Sequence, residues 1–348
     1  MISLTELLAM PELFPDAIFA DRGLLDCYRV DRTLLAESPF LDNRMTARSG
    51  GRERVSYTDA EIQALASGAR TEAIGFIFHT SFCRSTLMAQ ALHVDGQSFA
   101  LKEPSILLSL ADSIRNTRTM RDLDKVSVTL PAMLRLTTGL MTAGEKVIIK
   151  PTNFANNLLP HVARTGARIL LMYSDLRSYL TSILKYHNRG RAFTRQLYVR
   201  LMADSRELRD MDPRRALLLT DLQIAALVWK QQMNLFTQVM QDTPPGQICT
   251  LASDVFGARR EETLAEVFRF FAIPLVPGRL ADILSGPVFQ QHSKSGKSVD
   301  EHSIQQDNRM IADTHKEELE AALHWAESST TGGRVVVPLP NALPVPPG

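Results

Sequence analysis

Five short apolar runs punctuate the chain, and each is followed by residues at helical spacing. Residues 73–78 (Ala-Ile-Gly-Phe-Ile-Phe), 98–101, 146–150, 168–173 and 248–251 are rich in β-branched, aromatic or other apolar side chains and are short. Runs of that length and composition predict strands. Between and beyond them, residues 85–93, 106–114, 123–140, 156–164, 176–186, 216–241 and 261–271 predict helices. In the first of these, Leu87, Met88, Ala91 and Leu92 form an apolar face. Residues 216–241 read as one long helix, with Leu227, Val228, Trp229, Leu235 and Val239 among its apolar positions. Continuous apolar strands, rather than alternating ones, are buried on both faces. Strands of this kind separated by helices predict a parallel sheet flanked by helices. The fold class is α/β, with its core over residues 71–273.

The flanks read differently. The first 70 residues have no clean period: 4–19 predict short helices, 44–54 a polar loop, and 58–67 a helix capped by Thr58. They make a helical N-terminal layer. The division is then a peripheral segment at 1–70, an α/β domain at 71–331, and a tail at 332–348. The tail is rich in Pro and Val and is expected to wrap the surface or to be disordered.

Bulk composition narrows the function classes. The chain has 348 residues, 45% hydrophobic and 22% charged, so a sizeable core is feasible. A formal net charge of +1, from 39 basic and 38 acidic residues, argues against a nucleic-acid partner. Cys27, Cys83 and Cys249 form no CxxC pair, which disfavours a zinc site or a disulfide scaffold and fits a reducing compartment. No secretory pattern opens the chain, and no run approaches the roughly 20 apolar residues that span a bilayer. A cytoplasmic protein without stable membrane insertion is expected. Whether it forms a homodimer is left open.

The most informative segment is Phe76-Ile77-Phe78-His79-Thr80-Ser81-Phe82-Cys83-Arg84-Ser85-Thr86-Leu87. A buried strand leads in and an amphipathic helix leads out. The first amides of a helix lack internal partners and sit at its positive dipole end, where a phosphate or sulfate can bind. Ser81, Ser85 and Thr86 add hydroxyl donors, and Arg84 adds a guanidinium able to bind an anion bidentately. A Walker A loop needs G-x-x-x-x-G-K-[ST], whereas no glycine occurs between His79 and Leu92. The plain alternative is a strand–helix turn with an ordinary polar start.

These residues resemble the sulfotransferase family, which has a P-loop NTPase-like fold and takes sulfuryl groups from 3′-phosphoadenylyl sulfate (PAPS). Its members carry a loop like R-S-G-S-T-L-L after the first strand. Ser85, Thr86 and Leu87 match that loop, while Phe82 falls where the family has a cation and Arg84 where it has a glycine. The resemblance implies that Ser81, Phe82, Cys83, Arg84, Ser85 and Thr86 bind the 5′-phosphosulfate, with Arg84 as the displaced cation. Leu101-Lys102-Glu103-Pro104 is similar to a family segment whose Glu is the catalytic base. Tyr173-Ser174-Asp175-Leu176-Arg177 through Ser182 resembles R-D-P-R-D-x-x-x-S, which implies a 3′-phosphate site at Ser174, Arg177 and Ser182. The polar run at residues 291–298, with Ser293 and Lys294, resembles a basic loop that closes over the nucleotide. The likeness spans residues 74–298 and also takes in the Trp229 helix and Leu251-Ala252-Ser253-Asp254.

The implied chemistry is in-line positioning and charge stabilisation, with PAPS as co-substrate and no metal expected. Glu103 would accept the proton of an acceptor hydroxyl or amine on a small molecule, sugar or lipid. Glu103 also reads as a helix cap or a partner of Lys102. His79 reads as a second base or as a hydrogen-bonded structural residue. Lys150, at the end of the third strand, would face the sulfuryl oxygens. Asp175 and Arg177 also read as a local ion pair, and Cys83 as structural. Two other functions share these features: a P-loop kinase using ATP and Mg²⁺, and a non-catalytic nucleotide-binding protein.

Overall fold

All five apolar runs of the core become strands of one parallel sheet in the computed structural model, which describes residues 2–46, 48–116, 120–142, 144–290 and 301–344. Four strands precede them: β1 (Ile2–Ser3), β2 (Leu13–Phe19), β3 (Leu24–Arg29) and β4 (Arg52–Ser56). The core strands are β5 (Ile74–His79), β6 (Ser98–Lys102), β7 (Lys146–Lys150), β8 (Arg168–Tyr173) and β9 (Ile248–Ala252), in the order β6-β7-β5-β8-β9. Every residue of β5 and β6 is buried. Phe76 and Phe78 belong to one apolar core and Ile77 to another, as expected of a strand buried on both faces.

The winding sets where a ligand can bind. The chain leaves β5 toward the β6 edge and leaves β8 toward the β9 edge, so the direction reverses between the neighbours β5 and β8. In open α/β sheets that reversal opens a crevice at the carboxyl ends of the strands. His79, Lys102, Lys150, Tyr173 and Ala252 are the last residues of the five strands and mark this edge.

The N-terminal layer is helical only in part. It holds a four-stranded sheet of order β1-β4-β3-β2, where residues 4–19 predicted short helices and 44–54 a loop. Two features hide these strands from the sequence. The β2–β3 register shifts between Pro15 and Ala17, which admits a proline and an aspartate to a strand. The arginines of β4 pair with buried carboxylates: Arg54 reaches its cross-strand partner Asp26 at 2.7 Å, and Arg52 reaches Asp16 on β2 at 2.8 Å. The helix Asp59–Ser67 does start at Thr58, which forms a capping box with Glu61.

One other prediction is corrected, and of the two readings of the tail the surface wrap holds. Residues 216–241 are not one helix. Pro213–Leu218 ends before Thr220, which caps Asp221–Gln241 through a further capping box with Gln223. Leu217 and Leu218 are exposed, so their helical spacing carries no burial. The tail has a fixed place as far as residue 344. The Thr250 amide donates to Asn341 O and the Leu343 amide to Thr250 O, both at 2.9 Å, which covers the outer flank of edge strand β9. Among the described residues no helix is long and apolar enough to cross a membrane.

Candidate active site

The loop after β5 reaches its shape without glycine. Ser81, Phe82 and Arg84 have φ of 76°, 52° and 63°, in the left-handed region. Each such residue costs roughly 1–2 kcal/mol, so the surroundings must hold it there. Several contacts do so. The Thr80 amide donates to Met172 O at 3.1 Å, and the Cys83 thiol donates to the same carbonyl at 3.4 Å. Ser174 Oγ donates to Phe82 O at 3.2 Å. The Phe82 ring packs against Tyr179, Tyr186 and Phe193 with centroids 5.5–5.8 Å apart. Phe82 thus serves the loop as an aromatic anchor. Burial pushes the Cys83 thiol pKa up, which fits its structural reading.

His79 belongs to the same scaffold. The Ser81 amide donates to its Nδ1 at 3.1 Å, and its Nε2 lies 3.2 Å from Pro151 O. A carbonyl only accepts, so Nε2 is the donor to Pro151 O while Nδ1 accepts from Ser81. Both nitrogens help to hold the loop against the end of β7. Both contacts are of the kind the hydrogen-bonded structural reading of His79 expects.

The helix Ser85–Ala91 follows at once. Its N-cap, Arg84, makes no side-chain capping bond, and Ser85 and Thr86 are buried in its first turn. The Arg84 guanidinium packs over Gly257 in the helix Ser253–Ala258, where a Cβ would lie 3.4 Å from its Cζ.

At this sheet edge an ion pair joins the ends of β6 and β7. Lys150 Nζ donates to Glu103 Oε1 at 2.6 Å, with side chains 1% and 17% exposed. The pair forms because β6 and β7 run side by side, with Lys102 registered on Lys150. Glu103, one residue further, turns left-handed at φ 58°. Lys102 is not its partner. The Lys102 ammonium donates to Ala36 O at 2.7 Å, and burial pushes its pKa down to about 8.

The proposed 3′-phosphate residues part company. Ser174 stays at the site: its hydroxyl lies 2.9 Å from Ser253 Oγ, and its carbonyl accepts from Trp229 Nε1 at 2.8 Å. Arg177 is held bidentately by Glu320 at 2.7 and 3.0 Å, on the helix Lys316–Ser328. Asp175 caps its own helix through the Ser178 amide, so the local Asp175–Arg177 pair does not form. The Ser182 hydroxyl donates to Ser178 O. Ser293 and Lys294 lie outside the described residues.

Three buried amides were missed by sequence reasoning. Asn156 Nδ2 donates to His79 O at 3.1 Å and to Gln232 Oε1 at 3.0 Å, while Asn153 Nδ2 reaches the same Gln232 oxygen at 3.2 Å. They lock the turn after β7 to the end of β5. The signal available was a polar cluster, Asn153 to Asn157, directly after an apolar strand.

No protein-family model matches the chain, and neither does any curated protein. Among solved structures, the chain is similar to the sulfotransferase STF9 from Mycobacterium avium, with 11% identity and a TM-score of 0.42 over 73% of this chain and 80% of that one. It is also similar to a sulfotransferase domain from the curacin biosynthetic pathway, with 10% identity and a TM-score of 0.39 over 74% and 97%. A third is a sulfotransferase from Alicyclobacillus acidocaldarius, with 14% identity and a TM-score of 0.37 over 72% and 95%.

Proposed function

We propose that this protein is a sulfotransferase that takes the sulfuryl group of PAPS and passes it to a hydroxyl or amine of a small molecule, sugar or lipid. The observation that carries the reading is the Glu103–Lys150 pair, set at the ends of β6 and β7 on the edge where the strand–loop–helix of β5 also ends. A proton acceptor and an anion cradle on one sheet edge are what sulfuryl transfer requires.

The donor set of this edge fits an anionic group. Ser81, Ser85 and Thr86 bring hydroxyls, the Ser85–Ala91 helix brings an N-terminus without a side-chain cap, and Arg84 brings a guanidinium. These residues would hold the 5′-phosphosulfate and stabilise charge on the departing phosphate. PAPS supplies the activated sulfuryl group, whose bond to the phosphate oxygen breaks as the bond to the acceptor oxygen or nitrogen forms. Glu103 takes the acceptor's proton. Lys150 orients that carboxylate and keeps a cation beside the transferred oxygens. Arg177 and Ser182 would serve the 3′-phosphate, with Arg177 exchanging Glu320 for it.

The test is thermal unfolding with 3′-phosphoadenosine 5′-phosphate (PAP), with ATP and Mg²⁺, and with neither. A ligand of the native state stabilises it by about 2.7 kcal/mol at a hundred times its Kd. A shift with PAP is expected. A shift with ATP–Mg²⁺ alone selects a phosphotransferase, and no shift with either selects a protein that binds neither nucleotide. Glu103→Gln should keep the PAP shift and lose transfer.

A further inference from the structure

Glu103 sits at an open flank of the sheet. β6 is an edge strand, so its outer amides and carbonyls have no neighbouring strand. At the end that carries Glu103, one residue of the N-terminal layer takes that place. The Leu41 amide donates to Lys102 O at 2.7 Å, and the Ser105 amide donates to Leu41 O at 2.9 Å. On the inner flank the Glu103 amide donates to Lys150 O at 2.6 Å. Glu103 is therefore straddled on one side and held on the other, and its left-handed φ of 58° is over-determined.

Two side-chain ties brace the same turn from the same layer. The Lys102 ammonium donates to Ala36 O at 2.7 Å. The Ser105 hydroxyl donates to the Asp16 carboxylate, which Arg52 also holds. Leu41 itself is fully buried, which anchors the clamp in the core.

We infer that Leu41 is a positioning residue for Glu103, acting through its backbone, and that residues 36–44 are part of the transfer machinery rather than a cover on the sheet. This rests on the reading of Glu103 as the proton acceptor. The layer fixes where the carboxylate stands relative to the loop after β5, so its loss slows proton removal without loosening the nucleotide.

The test compares Ser105→Pro with Ser105→Ala in the full chain. Ser105 opens the helix Ser105–Asn116, a position where proline is tolerated because the helix does not use that amide. Both variants lose the hydroxyl bond to Asp16, but only the proline loses the bond to Leu41. Amide exchange at Lys102 and Glu103 should quicken about tenfold in Ser105→Pro and stay near wild type in Ser105→Ala. With PAPS and naphthol as the probe acceptor, kcat should fall about tenfold to a hundredfold in Ser105→Pro while KM for PAPS holds.

Unchanged exchange in Ser105→Pro overturns the positioning role whatever turnover does. Quickened exchange with unchanged kcat overturns its part in transfer. The reading of Glu103 fails separately: full transfer by Glu103→Gln removes the base and leaves the exchange result standing.

Discussion

Lys150 and Glu103 share a 2.6 Å ion pair but not an environment, since Lys150 is 1% exposed and Glu103 17%. Deleting either partner therefore strands a different charge. Glu103→Ala leaves an ammonium with no access to water and should cost about 3–5 kcal/mol. Lys150→Met refills its space and leaves a carboxylate that water reaches, so it should cost about 1–2 kcal/mol. Urea unfolding at neutral pH measures both, and equal costs would contradict the asymmetry. Transfer should be lost in each.

The neighbouring lysine gives a pH signature. Burial lowers the Lys102 pKa from its ordinary 10.5 to about 8. Between those values the unfolded chain binds the proton that the folded chain has released, so stability rises with pH. Below about 8 both states are protonated and the burial cost is felt in full. Lys102→Met should then gain most on wild type near pH 7, and the gap should shrink by up to about 3 kcal/mol as pH climbs from about 8 to 10.5. Denaturant midpoints of both proteins across that window provide the check. A gap that stays constant would mean that Lys102 titrates alike folded and unfolded.

The two parts of the molecule differed in how far their sequence betrayed them. β7 and β8 were bounded to the residue, because Val-Ile-Ile and Ile-Leu-Leu-Met are continuous and only a doubly buried strand needs that. β2 and β4 were not, because their charges are paid for by partners 28 and 36 residues away, which no local pattern reveals. At the site, the strand–loop–helix was legible from order alone. The Lys150–Glu103 pair was not, since it depends on β6 and β7 being neighbours. Nor was the bond from Arg177 to Glu320, 143 residues further on.

That second long-range pair makes a prediction about ligand affinity. Arg177 and Glu320 are both about half exposed, so the pair should add little to stability. Arg177→Ala should shift unfolding by less than about 1 kcal/mol and weaken PAP. Glu320→Ala should tighten PAP, because Arg177 no longer has to leave a carboxylate to meet a phosphate. Calorimetric titration at low and high salt would read both, with the gain from Glu320→Ala shrinking as salt screens the pair. Unchanged affinity in both variants would place the 3′-phosphate elsewhere.

Arg84 carries two burdens that substitution can separate. Its backbone is left-handed, at φ 63°, and its guanidinium is the cation assigned to the phosphosulfate. Arg84→Ala removes the charge and keeps the strain. Arg84→Gly removes both, and should be the more stable of the two by about 1 kcal/mol, since glycine adopts that φ freely. If the charge binds the anion, PAP affinity should fall alike in both variants despite their different stabilities. Unfolding in urea gives the first comparison and calorimetry the second. Wild-type affinity in Arg84→Gly would assign anion binding to the loop amides and hydroxyls alone, with Arg84 serving only to pack over Gly257.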